Sequence, residues 1–463
     1  MWATGRAPVV LIAVGGFALV LGLVAVTCHK TLYDHVLDSQ LQLGPDSKLH
    51  DSWIAPTVPT YQTFRFWNVT NWQDVASKRA RPILQEVGPY TYRREQRRVN
   101  VTWNSNDTVT YMQNNTWFFE PDMSNGTVED NITSLNLPLL LAAHTIEGMP
   151  PIVKKMIINL ISKVGSQVFV TKTVRELLFD GYDDPLADAI AALRHQSAQS
   201  IGWKVGQNNS HFFDGIMNMD TGADISHKGD IRFLNYSDTS RSFTNSCGML
   251  NGSAGSLFSG RLQPDFVQVY VSNLCRSLKL PYEKEVSTGG LDVNRYAATE
   301  MLFGSPEVNP DNWCNCHGQC PPSGLLDMSN CAPLNAFASL PHMLFVEPGI
   351  VNQTEGQHPG EDGHVLYLDI EPRTGTPVSS RLRLQNNLLL QANPDIAVLN
   401  NVPTAYMPIL WIEAAVDIPP DMVDQLSTLT KTVPVALRAV SGTLTALGGV
   451  LLFSGIALRR HRL

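Results

Sequence analysis

The chain has 463 residues, a formal net charge of −8 and seven cysteines. Its charge is uneven: the residues up to Lys30 and from Arg438 onward include six basic residues and no acidic one. The sequence between them carries 28 basic and 42 acidic residues. This acidic region argues against nucleic acid or heparin as the main partner, because both are polyanions. We find no internal repeat or low-complexity linker, so we expect one large domain between the ends.

Two uncharged apolar runs lie near the ends of the chain. Residues 7–28 and residues 439–458 are each long enough to cross a bilayer as a helix. The first run could also be read as a cleaved signal peptide, but it exceeds the roughly 7–15 apolar residues of such peptides, which favours a retained span. Basic residues at the outer ends, Arg6 and the segment 459–462, predict that both termini are cytoplasmic.

This reading gives five segments. They are a cytoplasmic N-terminus at 1–6, a transmembrane helix at 7–28, an ectodomain at 29–432, a second transmembrane helix at 433–458 and a cytoplasmic tail at 459–463. The ectodomain contains ten Asn-x-Ser/Thr sequons, a density that predicts a glycosylated extracellular or lumenal region. The acceptors are Asn68, Asn100, Asn106, Asn114, Asn125, Asn131, Asn208, Asn235, Asn251 and Asn352.

Six of the seven cysteines lie in the predicted ectodomain, and Cys28 ends the first apolar run. In a reducing compartment, Cys314, Cys316 and Cys320 with His317 could bind zinc, because thiolates and imidazole are its preferred ligands. In an oxidising compartment the same spacing is typical of a disulfide framework. The sequons favour the oxidising compartment. We therefore expect disulfides and no metal or other cofactor.

The ectodomain pattern is mainly that of short antiparallel strands. A helix is predicted at residues 33–43, a strand at 61–70, a turn followed by a strand at 86–93, and a hairpin at 99–111 around an Asn/Asp turn. Further strands are predicted at 365–370, 381–384 and 408–412. The basic cluster of Arg93, Arg94, Arg97 and Arg98 is interpreted as a solvated face. With one inserted helical segment, the pattern predicts an α+β fold.

The helical segment runs from Leu137 to Leu193. Its middle helix carries an apolar stripe that includes Ile152, Met156 and Leu160, and basic residues without a nearby acid. Such an island could attract a carboxylate or a phospholipid head group, and a solvated face over a core stripe explains the pattern equally well. The candidate ligand-binding residues are Lys154, Lys155, Met156, Leu160 and Lys163.

No motif of a hydrolase, metalloprotease or nucleotide-binding enzyme is present in the sequence. The segment from His358 to His364 could form a metal or acid–base site with Glu361 and Asp362, but its Gly/Pro-rich composition is typical of a surface loop. We therefore expect no enzyme activity. A channel is disfavoured, because the polar residues of the second apolar run can be explained by helix packing. They are Ser441, Thr443, Thr445 and Ser454.

Several stretches occur in order between the two apolar runs and carry a family resemblance. They are 88–93 (GPYTYR), 119–121 (FEP), 173–178 (TVRELL), 181–183 (GYD), 275–277 (CRS), 312–316 (NWCNC), 340–342 (LPH), 368–375 (LDIEPRTG) and 408–411 (PILW). On these residues the chain resembles the class B scavenger receptor family over nearly its full length. The resemblance implies an antiparallel β-barrel-like ectodomain, an apical helical bundle at 137–193 and a tunnel for lipid.

The resemblance also implies disulfides between Cys247 and Cys314, Cys275 and Cys331, and Cys316 and Cys320. Of a fatty-acid-binding lysine pair found in the family, only Lys163 is retained, since Gly165 occupies the second position. The implied function is a plasma-membrane receptor that captures lipid or lipoprotein at the apical helices and passes lipid through a hydrophobic tunnel. Implied partners are fatty acids, sterols or sterol esters, phospholipids and lipoprotein particles. Homo-oligomerisation is left open. The alternative is a docking receptor for a protein or particle, without lipid transport.

Overall fold

The computed structural model describes residues 7–461 except 194, 198, 241, 243–245, 317 and 332–335. The predicted N-terminal segment 1–6, the last two residues of the predicted tail 459–463 and the candidate zinc ligand His317 lie outside the described residues.

Antiparallel strands form most of the described domain. The strands are β1 (Thr60–Val69), β2 (Leu84–Trp103), β3 (Thr108–Phe119), β4 (Asn131–Leu135), β5 (Phe169–Thr173), β6 (Met217–Asp220), β7 (Ile231–Leu234), β8 (Phe266–Val271), β9 (Arg276–Thr288), β10 (Leu291–Ala297), β11 (Leu326–Asp327), β12 (Ala336–Ser339), β13 (Tyr367–Glu371), β14 (Thr376–Leu390) and β15 (Ala405–Asp417). The main sheet has the order β7-β6-β3-β2-β1-β15-β14-β13-β10-β9-β8, and β4 and β5 form a separate hairpin.

A short segment joins the two outer strands of this sheet. Gly252 accepts a hydrogen bond from the backbone of Ile231 at the start of β7, and Ser253 donates one to Gln268 of β8, both at 2.9 Å. Gly252 has φ +77°, and a Cβ atom there would lie 2.3 Å from the Gln268 carbonyl oxygen. Only glycine fits such a position without displacing the strand. The sheet is thereby nearly closed into a barrel.

The helices are α1 (Ala7–Leu41), α2 (His50–Ile54), α3 (Trp72–Lys78), α4 (Leu137–Thr145), α5 (Pro151–Val164), α6 (Pro185–Leu193), α7 (Pro348–Val351), α8 (Glu361–His364), α9 (Pro420–Ser427) and α10 (Val433–Arg460). We call α4–α6 the helical cap. It lies at the start of β15, since Lys154 of α5 contacts Asp395 in the preceding loop. The other end of β15 leads into α9 and α10. The cap and the terminal helices therefore lie at opposite ends of the barrel.

The terminal helices α1 and α10 pack along each other. A Cβ atom on Gly448 would lie 2.3 Å from the backbone nitrogen of Leu19, and one on Gly22 would lie 2.6 Å from that of Thr445. Glycines recur at seven-residue spacing on both helices, which lets the two backbones approach closely. Both helices are long and apolar enough to cross a membrane.

The predicted α+β class, with a barrel-like sheet and a helix at each end, is confirmed. The hairpin at 99–111 is confirmed by the pairing of Thr102 with Thr110. One local prediction is wrong. The segment 86–93 does not begin with a turn, because β2 runs through it with a bulge against β1, although the strand predicted there is formed. The helix predicted at 33–43 is present over residues 33–41 as the continuation of α1, which is anchored to the domain by Tyr33, Leu37 and Leu41.

Candidate functional site

The outward face of α5 is apolar and basic. Ile152 is 83% exposed and Met156 is 46% exposed, and Lys155 and Lys163 are exposed beside them. The opposite face is buried through Ile157 and Ile161. The predicted apolar stripe is therefore divided between two sides of α5. Ile157 and Ile161 pack into the core, whereas Ile152 and Met156 face solvent. An exposed patch of this kind is suited to contact an amphiphile or a partner protein.

Two of the predicted ligand-binding residues, Lys154 and Leu160, make contacts within the protein and are not freely accessible to a ligand. The Nζ atom of Lys154 lies 2.6 Å from Oδ2 of Asp395, which ties α5 to the β14–β15 loop. Leu160 packs against the main hydrophobic core. Lys155, Met156 and Lys163 thus remain the accessible members of the predicted set, and their role in binding stays a prediction.

A cavity of about 290 Å³ lies inside the barrel. Because alternate residues of a strand point to the same face, β2, β3, β14 and β15 contribute residues two positions apart. One wall, from β2, β3 and the segment before β6, is mainly polar and basic but also carries Trp117 and Phe213; its polar residues are Arg94, Gln96, Arg98, Gln113, Asn115, Lys204, Gln207 and Asp214. The other wall, from β8 and the turn after it, β12, β14 and β15, is mostly apolar and includes Val269, Leu274, Ala338, Leu382, Leu384, Ile412 and Ala414. The cavity is therefore amphipathic.

The guanidinium of Arg98 is held firmly on the basic wall. Arg98 is only 3% exposed, and its guanidinium carbon lies 4.6 Å from the ring centroid of Trp53 and 5.5 Å from that of Tyr111. Its Nη1 donates a hydrogen bond to the carbonyl oxygen of Trp53. The Nε atoms of Arg94 and Arg98 have no hydrogen-bond partner among the described residues.

The other charged groups of this wall are Lys204 and Asp214. Lys204 is 7% exposed, with Nζ 5.5 Å from the ring centroid of Trp117. Burial lowers the pKa of Lys204 to about 8, and the nearby Asp214 charge partly opposes that effect. The amine is therefore mostly protonated at pH 7. Oδ2 of Asp214 accepts hydrogen bonds from Asn115 at 3.0 Å and Gln113 at 3.2 Å.

The interpretation of the four-arginine cluster as a solvated face is wrong for Arg94 and Arg98. Both line the cavity, whereas Arg97 is exposed and Arg93 pairs with Glu120 at 2.9 Å. The positions of Arg94, Gln96 and Arg98 differ by two, so they share one face of a strand. Reading β2 as a continuous strand would have revealed this signal.

The segment 358–364 packs against His342. His342 Nε2 lies 2.6 Å from Oε2 of Glu86, and its Nδ1 accepts from the backbone N–H of His358 at 3.1 Å. His364 stacks on His342 at a centroid distance of 4.1 Å. Within the described part of the chain, no group of three or more His, Cys, Asp or Glu residues could hold a metal ion.

Disulfides join Cys247 to Cys314, Cys275 to Cys331, and Cys316 to Cys320. These are the pairs that the family resemblance implies. Cys28 is a free, exposed cysteine of α1. Seven of the sequon asparagines are exposed, and Asn68, Asn114 and Asn235 are half-buried. Oδ1 of Asn68 accepts a hydrogen bond from Thr133, and Oδ1 of Asn235 accepts one from Ile216.

The fold and these features define a class: a membrane protein with a large, disulfide-bonded, barrel-like domain between two terminal helices. The sequence model of the CD36 family matches residues 13–459. The chain belongs to the CD36 family, which confirms the predicted resemblance.

Individual relatives cover most of the chain. Scavenger receptor class B member 1 of Bos taurus is 29% identical over 451 residues, covering 95% of this chain and 86% of that protein. Protein peste of Drosophila melanogaster is 28% identical, covering 91% of this chain and 77% of its own length. Lysosome membrane protein 2 of Rattus norvegicus is 28% identical, with coverages of 86% and 83%.

Proposed function

We propose that this protein is a plasma-membrane receptor that captures lipid or lipoprotein at the exposed face of α5 and passes lipid through the barrel to the membrane. The observation that carries the proposal is the amphipathic cavity inside the barrel. One end of the barrel bears the helical cap and the other leads to helices that could cross a membrane. The relatives named as class B scavenger receptors support a receptor role.

Lipid transfer of this kind needs no covalent chemistry. Burial of an acyl chain stabilises by about 0.8 kcal/mol per CH₂ group. The apolar wall formed by Leu382, Leu384 and Ile412 can therefore compensate for removal of a chain from its carrier. We infer a receptor and transporter without catalytic activity.

The exposed face of α5 supports a second candidate function. Ile152 and Met156 present apolar surface next to Lys155 and Lys163, a composition that also suits a protein partner. In that case the protein docks a partner or particle and the barrel interior carries nothing.

The two functions differ in what a blocked barrel does. Cells expressing the protein are given lipoprotein with a labelled, non-hydrolysable cholesteryl ether, a labelled phospholipid and a separate protein label. Ala414→Trp fills the cavity, and the control Ala415→Trp places the same side chain on the opposite face of β15. Both variants are matched for surface expression.

Transport through the barrel predicts that one or both lipid labels enter without the protein label, and that Ala414→Trp reduces this entry at least fivefold while Ala415→Trp does not. Entry of lipid and protein together, unaffected by Ala414→Trp, establishes docking instead. In either case the double variant Ile152→Asp/Met156→Asp is expected to reduce capture.

A further inference from the structure

We propose that Arg94, Arg98 and Lys204 form a binding site for the negatively charged head group of an amphiphile, with its hydrocarbon chain on the apolar wall of the same cavity. The shared chemistry of the head group is a carboxylate or phosphate oxygen anion. This inference rests on the proposed function and narrows its cargo: anionic single-chain lipids are preferred over neutral sterol esters.

The charge of the cavity is unbalanced. Its lining holds three cations and one carboxylate, that of Asp214. In the described part of the chain none of the three cations forms an ion pair within 4.0 Å, and the Asp214 charge, which acts on Arg94 and Lys204 from a longer distance, accepts hydrogen bonds from the amides of Gln113 and Asn115. Buried cations in excess of their counter-charges destabilise a protein, so an anion that enters this cavity is stabilised by them.

Arg94 and Arg98 line this space, and Arg98 is held in a fixed orientation. Stacking on Trp53 and Tyr111 fixes the plane of the Arg98 guanidinium before any ligand arrives. The buried Nε atoms of Arg94 and Arg98 have no hydrogen-bond partner among the described residues, so neither guanidinium is fully satisfied by the protein. A planar guanidinium with free donors binds carboxylate or phosphate with two parallel hydrogen bonds. Lys204 adds a third charge on the same wall.

The apolar wall of the cavity provides contacts for the hydrocarbon chain of the ligand. Leu382 and Leu384 of β14 and Ile412 of β15 line it, together with Val269 and Leu274. A volume of about 290 Å³ is at the lower end of ligand pockets, which run from about 300 to 1,000 Å³. A narrow cavity with charge on one side and hydrocarbon on the other matches a single-chain amphiphile. A neutral ester leaves the cations unpaired.

The test uses the full-length glycoprotein in nanodiscs of phosphatidylcholine. The probes are a fluorescent fatty acid, its uncharged methyl ester, and a lysophosphatidate with the same fluorescent chain. We expect the two anions to bind at least tenfold more tightly than the ester. Arg94→Gln and Lys204→Met should each weaken the anions at least fivefold and leave the ester unchanged. The control is Arg97→Gln, an exposed arginine of the same strand.

A pH series gives a readout that a purely structural role would not change. Because the pKa of Lys204 is about 8, affinity for the fatty acid should fall between pH 7 and pH 9. Lys204→Arg, which stays charged, should remove that fall. Lys204→Arg also keeps the assay interpretable if Lys204→Met does not fold.

The outcomes separate this inference from the proposed function. Equal binding of anion and ester, with both lost in Ala414→Trp, overturns the head-group site and retains a lipid-carrying barrel. Absence of binding by every probe overturns both. Preference for the fatty acid or for lysophosphatidate supports the site and identifies the head group as carboxylate or phosphate. Displacement of the fatty acid by inorganic phosphate alone overturns the role given to the apolar wall.

Discussion

The histidine pair beside Glu86 is a residue-scale feature with a direct pH consequence. Since Nδ1 of His342 accepts from the His358 backbone, its proton is assigned to Nε2, which donates to Glu86. Burial, and then the neighbouring His342, lowers the pKa of His364 to about 4. His364 is therefore held neutral at pH 7 while it stacks on the His342 ring.

This arrangement predicts that protonation of His364 destabilises the folded protein in acid. The pKa of His364 is lower in the folded protein than its ordinary 6.5, so its stabilising contribution is present above pH 6.5 and is lost as the pH falls towards 4. His364→Phe keeps an aromatic ring on His342 but cannot titrate. We expect the midpoint of thermal unfolding to fall less between pH 6.5 and 4.5 in His364→Phe than in the wild type. The control is His358→Phe, which keeps the backbone donor; identical pH slopes in all three proteins would contradict the assignment.

The role of a residue could be predicted from the sequence only where it depends on neighbours that are close in the sequence. Asp184, directly before Pro185, has the side chain expected at a helix N-terminus, and its Oδ1 accepts from the backbone N–H groups of Leu186 and Ala187 at the start of α6. Arg98 could not be placed, because a charged residue in a strand is as common on a solvated face. Its inward direction follows from the register of β2 and from Trp53, which is distant in sequence.

At the element scale, sequence periodicity predicted where strands and helices form better than it predicted which elements pack against each other. The alternation of β13 and the turn before β14 are local signals, and both elements form. The stripe on α5 is also local, but which part of it is buried depends on how the cap docks. Ile157 and Ile161 were buried by docking, whereas Ile152 remained exposed. The pairing of α1 with α10 joins residues more than 400 positions apart, so the seven-residue glycine spacing within each helix does not by itself identify the partner helix.

The close packing of α1 and α10 predicts a position-specific effect of helix glycines. Gly448→Leu places a side chain where Leu19 backbone atoms lie, so the helices must separate. Overpacking of this kind costs about 1–3 kcal/mol. Gly449→Leu is the matched control, because nothing lies within 4 Å of a Cβ atom there. We expect thermal unfolding of the nanodisc-embedded protein at a lower temperature for Gly448→Leu only; equal midpoints would show that the helices do not depend on this contact.

At the scale of the whole molecule, the barrel and its cavity arise from contacts that no local pattern contains. Closure depends on Gly252 and Ser253 pairing with both β7 and β8. The family resemblance predicted a barrel-like fold, and the expected tunnel was hydrophobic. The cavity has a basic wall because β2 and β3 place charged and amide side chains on the same interior surface as the apolar side chains of β14 and β15. The chemistry of the interior therefore follows from the three-dimensional arrangement of strands that look ordinary in sequence.

The folded domain buries two lysines, Lys204 and Lys228, and we expect this burial to affect how the free energy of unfolding depends on pH in the alkaline range. Lys228 is 1% exposed, its Nζ donates to the Thr374 carbonyl oxygen at 2.5 Å, and burial lowers its pKa to about 8. Lys204 has a similarly lowered pKa. Between pH 8 and the ordinary lysine pKa of 10.5, the unfolded chain binds more protons than the folded one. The free energy of unfolding should therefore rise with pH across that interval.

The titration of Tyr92 limits this rise in the free energy of unfolding at high pH. Burial raises the pKa of Tyr92 to about 12, so above pH 10 the unfolded chain loses protons that the folded protein keeps, and stability falls again. We expect urea unfolding to give a maximum near pH 9–10, with Lys228 contributing on the order of 3 kcal/mol to the rise. Lys228→Met should flatten the curve between pH 8 and 10, while Lys48→Met, at an exposed position, should not. Parallel curves for all three proteins would mean that Lys228 is solvated in the folded protein.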